Sequence, residues 1–470
     1  MYSCDCHKKR VDLLYNVTML VFDTICALAT PPFKAALATV RLSGSKSLDI
    51  LSHIIKKDVH SIVPNQTYFV KLYRDKDNPK EMIDEAVITF YKGPRSYTGF
   101  DSVDFSTHGS MIVVEELLDT LVAYGARRAE KGEFSAQAYF NGKMDLLKAE
   151  GINDLINATS RRAKVLATQT LSGKNTSIMI DLKNTLLEYL SRLEYFVENT
   201  YDEDQMDDYS PELDDIASLL EKDVNSLNDM IERTKSCNRQ YEGFHIVIAG
   251  EPNVGKSTLL NALLKEDKAI VSPIPGTTRD VVEGEKEIDG MLFRFTDTAG
   301  LRKTEDYVEN LGIEKSYKTM KDADLILLAS DSGFKDIEDN AEVMDILKEK
   351  PFIKVATKND INTSLDDCDI AICSLKDDLT PLIHLMLKKL NLEKKEEASF
   401  LGKREEEYLE KISLQLQKTI TAIKDTHQID IISDTLRVAI SYINDMMGKQ
   451  EGQTMEDIYQ TLFSKFCLGK

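Results

Sequence analysis

A chain of 470 residues exceeds one ordinary domain, so two to four are expected. Hydrophobic residues at 42% and charged residues at 29% suit a folded globular protein and exclude a wholly disordered one. The formal charge of -20 argues against a broad nucleic-acid-coating surface, while leaving room for a small basic patch or a basic partner.

Seven cysteines are scattered along the chain, and the one short pair, Cys4-Asp5-Cys6, lacks the spacing and the second pair of a zinc site. The odd count, with no clear secretory signal, predicts a reduced, cytoplasmic protein. Lys8-Lys9-Arg10 before Val11–Leu28 imitates a signal peptide or anchor. Asp12 and Asp23 interrupt that stretch, which is too short and too polar to span a bilayer. Residues 1–22 are expected to be an extension, disordered or arising from a misplaced start, with Met19 available as initiator.

Residues 23–146 predict an α+β domain. Strand runs occur at Ala36–Leu42, Tyr68–Tyr73 and Glu85–Phe90, turn signals at Gly93-Pro94 and Thr98-Gly99, and helical spacing over Met111–Tyr124. From Ala149 to Thr200 the pattern is helical, with Leu182, Leu186, Leu190, Leu193 and Val197 on one face. The acidic run Asp202–Tyr209 reads as a solvated loop, and Pro211 starts a helix to about Lys235. At Phe244 the period changes. Short apolar runs at Phe244–Ala249, Leu292–Thr296, Leu325–Ala329, Phe352–Ala356 and Ile370–Cys373 alternate with helices, the mark of a mostly parallel sheet. Charged helical segments follow Leu392. The expected architecture is multidomain α/β: an N-terminal α+β domain, then an all-helical domain in two parts, 147–240 and 391–470, flanking an inserted Ras-like P-loop domain at 241–390.

Gly250-Glu251-Pro252-Asn253-Val254-Gly255-Lys256-Ser257, followed by Thr258, fits G-x-x-x-x-G-K-S between a strand and a helix. Its glycines let backbone N–H groups wrap phosphates, Lys256 neutralises the β and γ oxygens, and Ser257 suits Mg²⁺. Asp297-Thr298-Ala299-Gly300 supplies a carboxylate that can hold the metal through water, and Gly300 frees an N–H for the γ-phosphate. Gly276-Thr277-Thr278 lies between, where Thr278 can complete the Mg²⁺ shell. Thr357-Lys358-Asn359-Asp360 points to guanine: Asp360 can accept two hydrogen bonds that adenine cannot donate. Ser374-Leu375-Lys376 takes the place of the usual Ser-Ala-Lys loop. These ordered motifs predict a GTP hydrolase. Leu301 follows the Asp-x-x-Gly segment where Ras-like proteins carry a water-orienting Gln, leaving Glu305, Asp306 and Glu309 as acidic candidates for that task.

Outside the nucleotide motifs the chain carries Ala29-Thr30-Pro31-Pro32, Val40-Arg41-Leu42-Ser43-Gly44, Ser96-Tyr97-Thr98-Gly99, Gly132-Glu133-Phe134, Phe140-Asn141-Gly142-Lys143-Met144-Asp145-Leu146 and a terminal Phe466-Cys467-Leu468-Gly469-Lys470. With the inserted topology, these make it resemble the MnmE (TrmE) family of tRNA-modification GTPases from about Asp23 to Lys470. The resemblance implies an FAD-containing partner, MnmG, with which the family adds an aminomethyl-type group to C5 of the wobble uridine of certain tRNAs. A reduced folate carries the one-carbon unit. It further implies a homodimer through the N-terminal domain, a heterotetramer with the partner, and K⁺-dependent closure of the nucleotide domains.

By position, Asn253 matches a potassium-ligating Asn. Ser272, Pro273, Ile274, Pro275, Gly276 and Thr277 match the loop that wraps the ion, with Ser272, Ile274 and Thr277 among its ligands. Glu309 matches the family's water-orienting glutamate, and Arg302 a family arginine of the same segment. Arg41, Asp104, Lys143 and Lys470 fall on folate-binding positions, and Cys467 on a candidate reactive thiol. The chain departs from the family pattern at Phe33–Ala38, Phe100, Asp104, Ser110 and Lys131, all in the N-terminal part. The alternative is a regulatory or ribosome-assembly switch, which would usually carry a basic RNA-binding face. A membrane-remodelling GTPase would need an amphipathic or apolar anchor that the sequence lacks.

Overall fold

The computed structural model describes residues 23–199, 210–265, 284–298, 307–359, 367–373, 378–392, 402–448, 459–460 and 463–469. Residues 1–22, expected to be an extension, and the whole acidic run Asp202–Tyr209 lie outside them, as does Lys470.

In chain order the first elements are β1 (Ile25–Leu28), β2 (Leu37–Ser43), α1 (Ser47–Ile54), β3 (Thr67–Tyr73), β4 (Met82–Tyr91), β5 (Ser102–His108), α2 (Met111–Ala123), β6 (Arg127–Arg128) and α3 (Glu133–Phe140). The six strands form one sheet in the order β3-β4-β5-β2-β1-β6, antiparallel except for the β1–β6 pair. Period-two alternation builds its core: Ala38, Val40 and Leu42 of β2 are buried, as are Val103 and Phe105 of β5. Helix α2 buries Val114, Leu117, Leu118 and Leu121 against them, at helical spacing. The same alternation turns Arg41 and Asp104 to the other face, and the β2–β5 register sets the two directly opposite.

A helical region follows: α4 (Leu146–Asn157), α5 (Arg161–Leu171), α6 (Lys174–Asn199) and α7 (Ser210–Glu242). The sequence reads as helical from Ala149 to Thr200, and the structure divides that stretch into separate helices with breaks before α5 and before α6. Ser160 caps α5, its hydroxyl accepting from Ala163 N at 3.1 Å, and Gly173 takes φ 80 before α6. Leu186, Leu190 and Leu193 are buried on the expected face of α6.

The second sheet comes from β7 (Phe244–Gly250), α8 (Lys256–Lys265), β8 (Gly284–Ile288), β9 (Met291–Asp297), α9 (Tyr307–Lys321), β10 (Leu325–Ser330), α10 (Lys335–Glu338), α11 (Ala341–Glu349), β11 (Phe352–Ala356), β12 (Ile370–Ala371) and α12 (Thr380–Lys389). Its order is β12-β11-β10-β7-β9-β8, parallel except for β8 on β9. Helices cover both faces. Ile246 and Ile248 pack with Leu259, Leu263, Leu382 and Met386 on one side, and Val247 and Ala249 with Met320, Val343 and Ile346 on the other. Burial on both faces explains why these strands read as unbroken apolar runs. Each such fully buried aliphatic side chain contributes about 1.5–3 kcal/mol.

Two long helices close the described chain, α13 (Lys403–Thr426) and α14 (Ile429–Met446). Helix α13 packs along α7, on the far side of the nucleotide sheet in sequence. Asn238 ties the helices, its Nδ2 donating to Glu406 Oε2 at 2.8 Å and its Oδ1 accepting from Gly402 N at 2.7 Å. Lys235 pairs with Glu410 at 3.0 Å and Lys424 with Glu221 at 2.7 Å. The fold is therefore multidomain α/β: an N-terminal α+β part, a helical region, and a nucleotide domain with a mostly parallel sheet. By proximity the chain divides into two compact units, Met1–Asn153 with Thr176–Leu187 and Ile440–Lys470, and Asp154–Asn175 with Glu188–Ala439. No described helix is long and apolar enough to cross a membrane.

Candidate nucleotide site

Strand β7 ends at Gly250 and α8 begins at Lys256, with the phosphate-loop motif between. A side chain at Gly250 is excluded: a Cβ would lie 2.2 Å from Ala329 O on β10. The turn itself needs left-handed backbone at Asn253 (φ 62) and Gly255 (φ 98), the first tolerated by Asn and the second by Gly. Val254 is 2% exposed and anchors the loop in the core, while Ser257 and Thr258 are exposed on the first turn of α8. That helix end offers unpaired N–H groups and the positive end of the dipole to an anion.

Lys256 is only 7% exposed, and its Nζ donates to Glu251 O at 2.9 Å. Burial pushes its pKa below the ordinary lysine value, and the nearby Asp297 carboxylate only partly offsets this. Asp297, at the end of β9, accepts from Ser257 Oγ through Oδ2 at 2.5 Å. Its other oxygen, Oδ1, is buried with no hydrogen-bond partner among the described residues. A buried carboxylate oxygen is costly to leave unsatisfied. Hard oxygen donors on Ser257 and Asp297, one of them orphaned, fit Mg²⁺ or its bound water. Thr298 fixes the strand end, its N and Oγ1 each donating to Ile248 O at 3.1 Å. Thr278, expected to complete the metal shell, lies outside the described residues.

The base-side loop follows β11. Thr357 is 2% exposed; its N donates to Ser330 O at 2.8 Å and its Oγ1 to Val254 O at 2.5 Å. The threonine at the usual Asn position thus reaches back to the phosphate loop. Lys358 (φ 52) donates through Nζ to Asn253 O and to Asp331 Oδ2, each at 2.7 Å. Asn359 N donates to Ile372 O at 3.4 Å. The structure therefore assembles Asn253, Val254, Gly255, Lys256, Ser257, Asp297, Thr357 and Lys358 from loops far apart in sequence. The sequence reading overlooked Asp331, whose signal was an acidic residue just past a strand end on the same sheet edge. Ser272, Pro273, Ile274, Pro275, Gly276, Thr277, Ala299, Gly300, Arg302, Asp360, Ser374, Leu375 and Lys376 lie outside the described residues. Glu309 falls within α9, and its side chain lies outside them too.

In the N-terminal sheet Arg41 and Asp104 form a two-point ion pair, Nε to Oδ1 at 2.9 Å and Nη2 to Oδ2 at 3.2 Å. Burial works to lower the Arg41 pKa, but the hydrogen-bonded Asp104 overrides it and holds the guanidinium above its ordinary value. Arg41 Nη1 also reaches Gly469 O at 3.4 Å, bringing the terminal segment to the pair. Lys143 is exposed and donates to Pro94 O at 2.6 Å. Asn141 Nδ2 donates to Thr98 O at 2.7 Å, so two of the sequence motifs interlock here. Cys467 is exposed, with its carbonyl accepting from Gly132 N at 3.2 Å.

The buried ammonium of Lys256 has a thermodynamic consequence. In the free protein its pKa sits below the ordinary value, and a triphosphate beside it raises it again. Between the two values, on the alkaline side, nucleotide binding must take up protons. Calorimetric titration at alkaline pH in buffers of different ionisation enthalpy is expected to register that uptake; its absence would contradict a phosphate role for Lys256.

Two family models match the chain: GTP-binding protein TrmE N-terminus over residues 24–143, and 50S ribosome-binding GTPase over residues 245–358. The tRNA modification GTPase MnmE of Fervidobacterium nodosum is 36% identical over 95% of this chain and 98% of its own. Those of Mycoplasma mycoides and Thermotoga maritima are each 35% identical, over 96% and 95% of this chain and all of their own. A solved structure of Era from Aquifex aeolicus bound to GDP·AlF4⁻ is similar over 37% of this chain and 66% of that one, at 26% identity and a TM-score of 0.25. Similarity at this level from end to end, joined to the nucleotide-site geometry, means that the chain belongs to the MnmE family of tRNA modification GTPases.

Proposed function

We propose that this protein hydrolyses GTP in the cytoplasm as part of tRNA modification. With an FAD-containing MnmG-like partner, it adds an aminomethyl-type group to C5 of the wobble uridine of certain tRNAs. One observation carries the reading: a Lys256–Ser257–Asp297 phosphate and metal site sits within a chain similar over 95% of its length to tRNA modification GTPases. Lys256 faces the β and γ oxygens, Ser257 and Thr278 hold Mg²⁺ with Asp297 reaching it through water, and Asp360 reads guanine beside Thr357 and Lys358. Glu309 orients the attacking water, the task that Leu301 cannot perform, and Arg302 belongs to the same switch segment.

Hydrolysis is activated by K⁺-dependent closure of two nucleotide domains, with Asn253, Ser272, Ile274 and Thr277 around the ion. A monovalent cation beside the phosphates does the electrostatic work of an arginine finger. The N-terminal domain forms the homodimer, and the partner completes a heterotetramer. Folate supplies the one-carbon unit. Arg41 and Asp104, with Lys143 and Lys470, are the residues proposed to hold it. Because Arg41 and Asp104 neutralise each other, the pair suits the hydrogen-bonding edge of a pterin better than a charged glutamate tail. A ribosome-assembly role draws support from the 50S ribosome-binding GTPase model, but that match spans the nucleotide domain alone.

Nucleoside analysis of tRNA from a deletion strain tests the main reading. Unmodified wobble uridine, restored by the wild-type chain, is expected; full modification without it would overturn the assignment. Exchanging K⁺ for Na⁺ is expected to slow GTP hydrolysis at least about tenfold, and equal rates in both salts would remove the potassium mechanism.

A further inference from the structure

We propose that Asp331 is a positioning residue for nucleotide binding, acting through Lys358 to lock the base-side loop onto the phosphate loop. This inference rests on the nucleotide reading above.

Lys358 sits where three loops converge, after β7, β10 and β11. Its single ammonium donates to Asn253 O on the first and to Asp331 Oδ2 on the second, both at 2.7 Å, while its own backbone belongs to the third. A lysine has a flexible four-carbon stem and no built-in direction, so something must fix where its ammonium lies. Asp331 is suited to this because its own frame is fixed. Ser330 beside it is 1% exposed, and its hydroxyl accepts from Ser332 N at 3.3 Å and Gly333 N at 3.1 Å, and donates to Gly333 O at 2.5 Å. Ser330 O in turn accepts from Thr357 N at 2.8 Å, so the turn carrying Asp331 and the base-side loop share a backbone bond.

Backbone strain marks the place as more than a surface ion pair. Lys358 at φ 52 and Asn253 at φ 62 are both left-handed non-glycine residues, and one hydrogen bond joins them. The Lys358 and Asp331 side chains are 39% and 24% exposed, so the pair adds little to stability by itself. What it does is geometric. By drawing the Lys358 ammonium toward β10, Asp331 orients the Asn253 carbonyl and hence the Asn253–Val254 peptide in the middle of the phosphate loop. The Thr357 Oγ1 bond to Val254 O runs in parallel, so base-side and phosphate-side loops are tied at two successive residues. The carboxylate acts through Lys358 and Asn253 rather than through Lys256, so its loss is expected to weaken diphosphate and triphosphate alike.

Titration of the full-length chain with fluorescent methylanthraniloyl-GDP and -GTP tests this. Asp331→Asn keeps the shape but loses the charge, and is expected to weaken both nucleotides by the same factor, about tenfold. The KM for GTP should rise accordingly, while kcat at saturation falls less than about twofold. Asp331→Glu should recover most of the affinity. In the double variant with Lys358→Ala, the Asp331 change should add nothing, because its action runs through that lysine. Additive losses, a loss confined to GTP, or affinity unchanged in Asp331→Asn would each overturn the proposal. If Asp331→Asn does not fold, Asp331→Glu and Lys358→Ala still decide it: Lys358→Ala with unaltered affinity is a refutation. A wild-type chain that bound neither probe would instead bring down the nucleotide reading, and this inference with it.

Discussion

A buried ammonium and a carboxylate oxygen with no partner among the described residues face the same glycine-bounded turn, and the proposed chemistry of the nucleotide domain follows from that juxtaposition. Lys256 is held away from water at a cost to its charged form, and Asp297 Oδ1 has lost its hydration without gaining a hydrogen bond. Neither state favours the empty protein. The proposed ligand, a polyphosphate carrying its divalent cation, would relieve both. The parallel sheet makes this possible: Gly250 lets β10 press against the strand end, and helices on both faces keep β7 dry along its length.

The N-terminal half uses a different device for a similar end. Antiparallel register sets Arg41 against Asp104, and alternation keeps both off the core face that Val40 and Phe105 occupy. The terminal segment reaches the pair through Gly469 O, whose residue adopts φ 85 and could not carry a side chain without meeting Leu28 O at 2.6 Å. Residues at the two ends of the chain therefore belong to one arrangement.

Legibility in the sequence followed the physics of each feature. The nucleotide strands were readable because a sheet buried on both faces leaves unbroken apolar runs, and β11 was placed to the residue. Strand β8 escaped notice: Gly284-Glu285-Lys286-Glu287-Ile288 is polar, and its strand character comes from pairing with β9 at an edge. Strand β5, Ser102–His108, was hidden by its polar residues: Asp104 and Ser106 lie off the core face, Ser102 joins the buried hydroxyl network around Ser43 and Thr98, and Thr107 is buried with its hydroxyl donating to Ala38 O. Helix breaks at Ser160 and Gly173 carried only a cap residue and a glycine as signals, and the apolar face read at Leu182–Val197 begins after both. Motif residues could be named from spacing, whereas the partner of Lys358 could not: Asp331 lies 27 positions upstream, and only the sheet order brings it near.

The central claim is that the site formed by the phosphate loop and the base-side loop selects a guanine nucleotide. Equilibrium titration of the purified chain with GTP and with ATP, in the presence of Mg²⁺, tests it most directly. The proposed function calls for GTP to bind at least about a hundredfold more tightly, since a carboxylate at Asp360 placed to read the guanine edge would go unpaired against adenine. Equal affinity for the two nucleotides would contradict the account at its root.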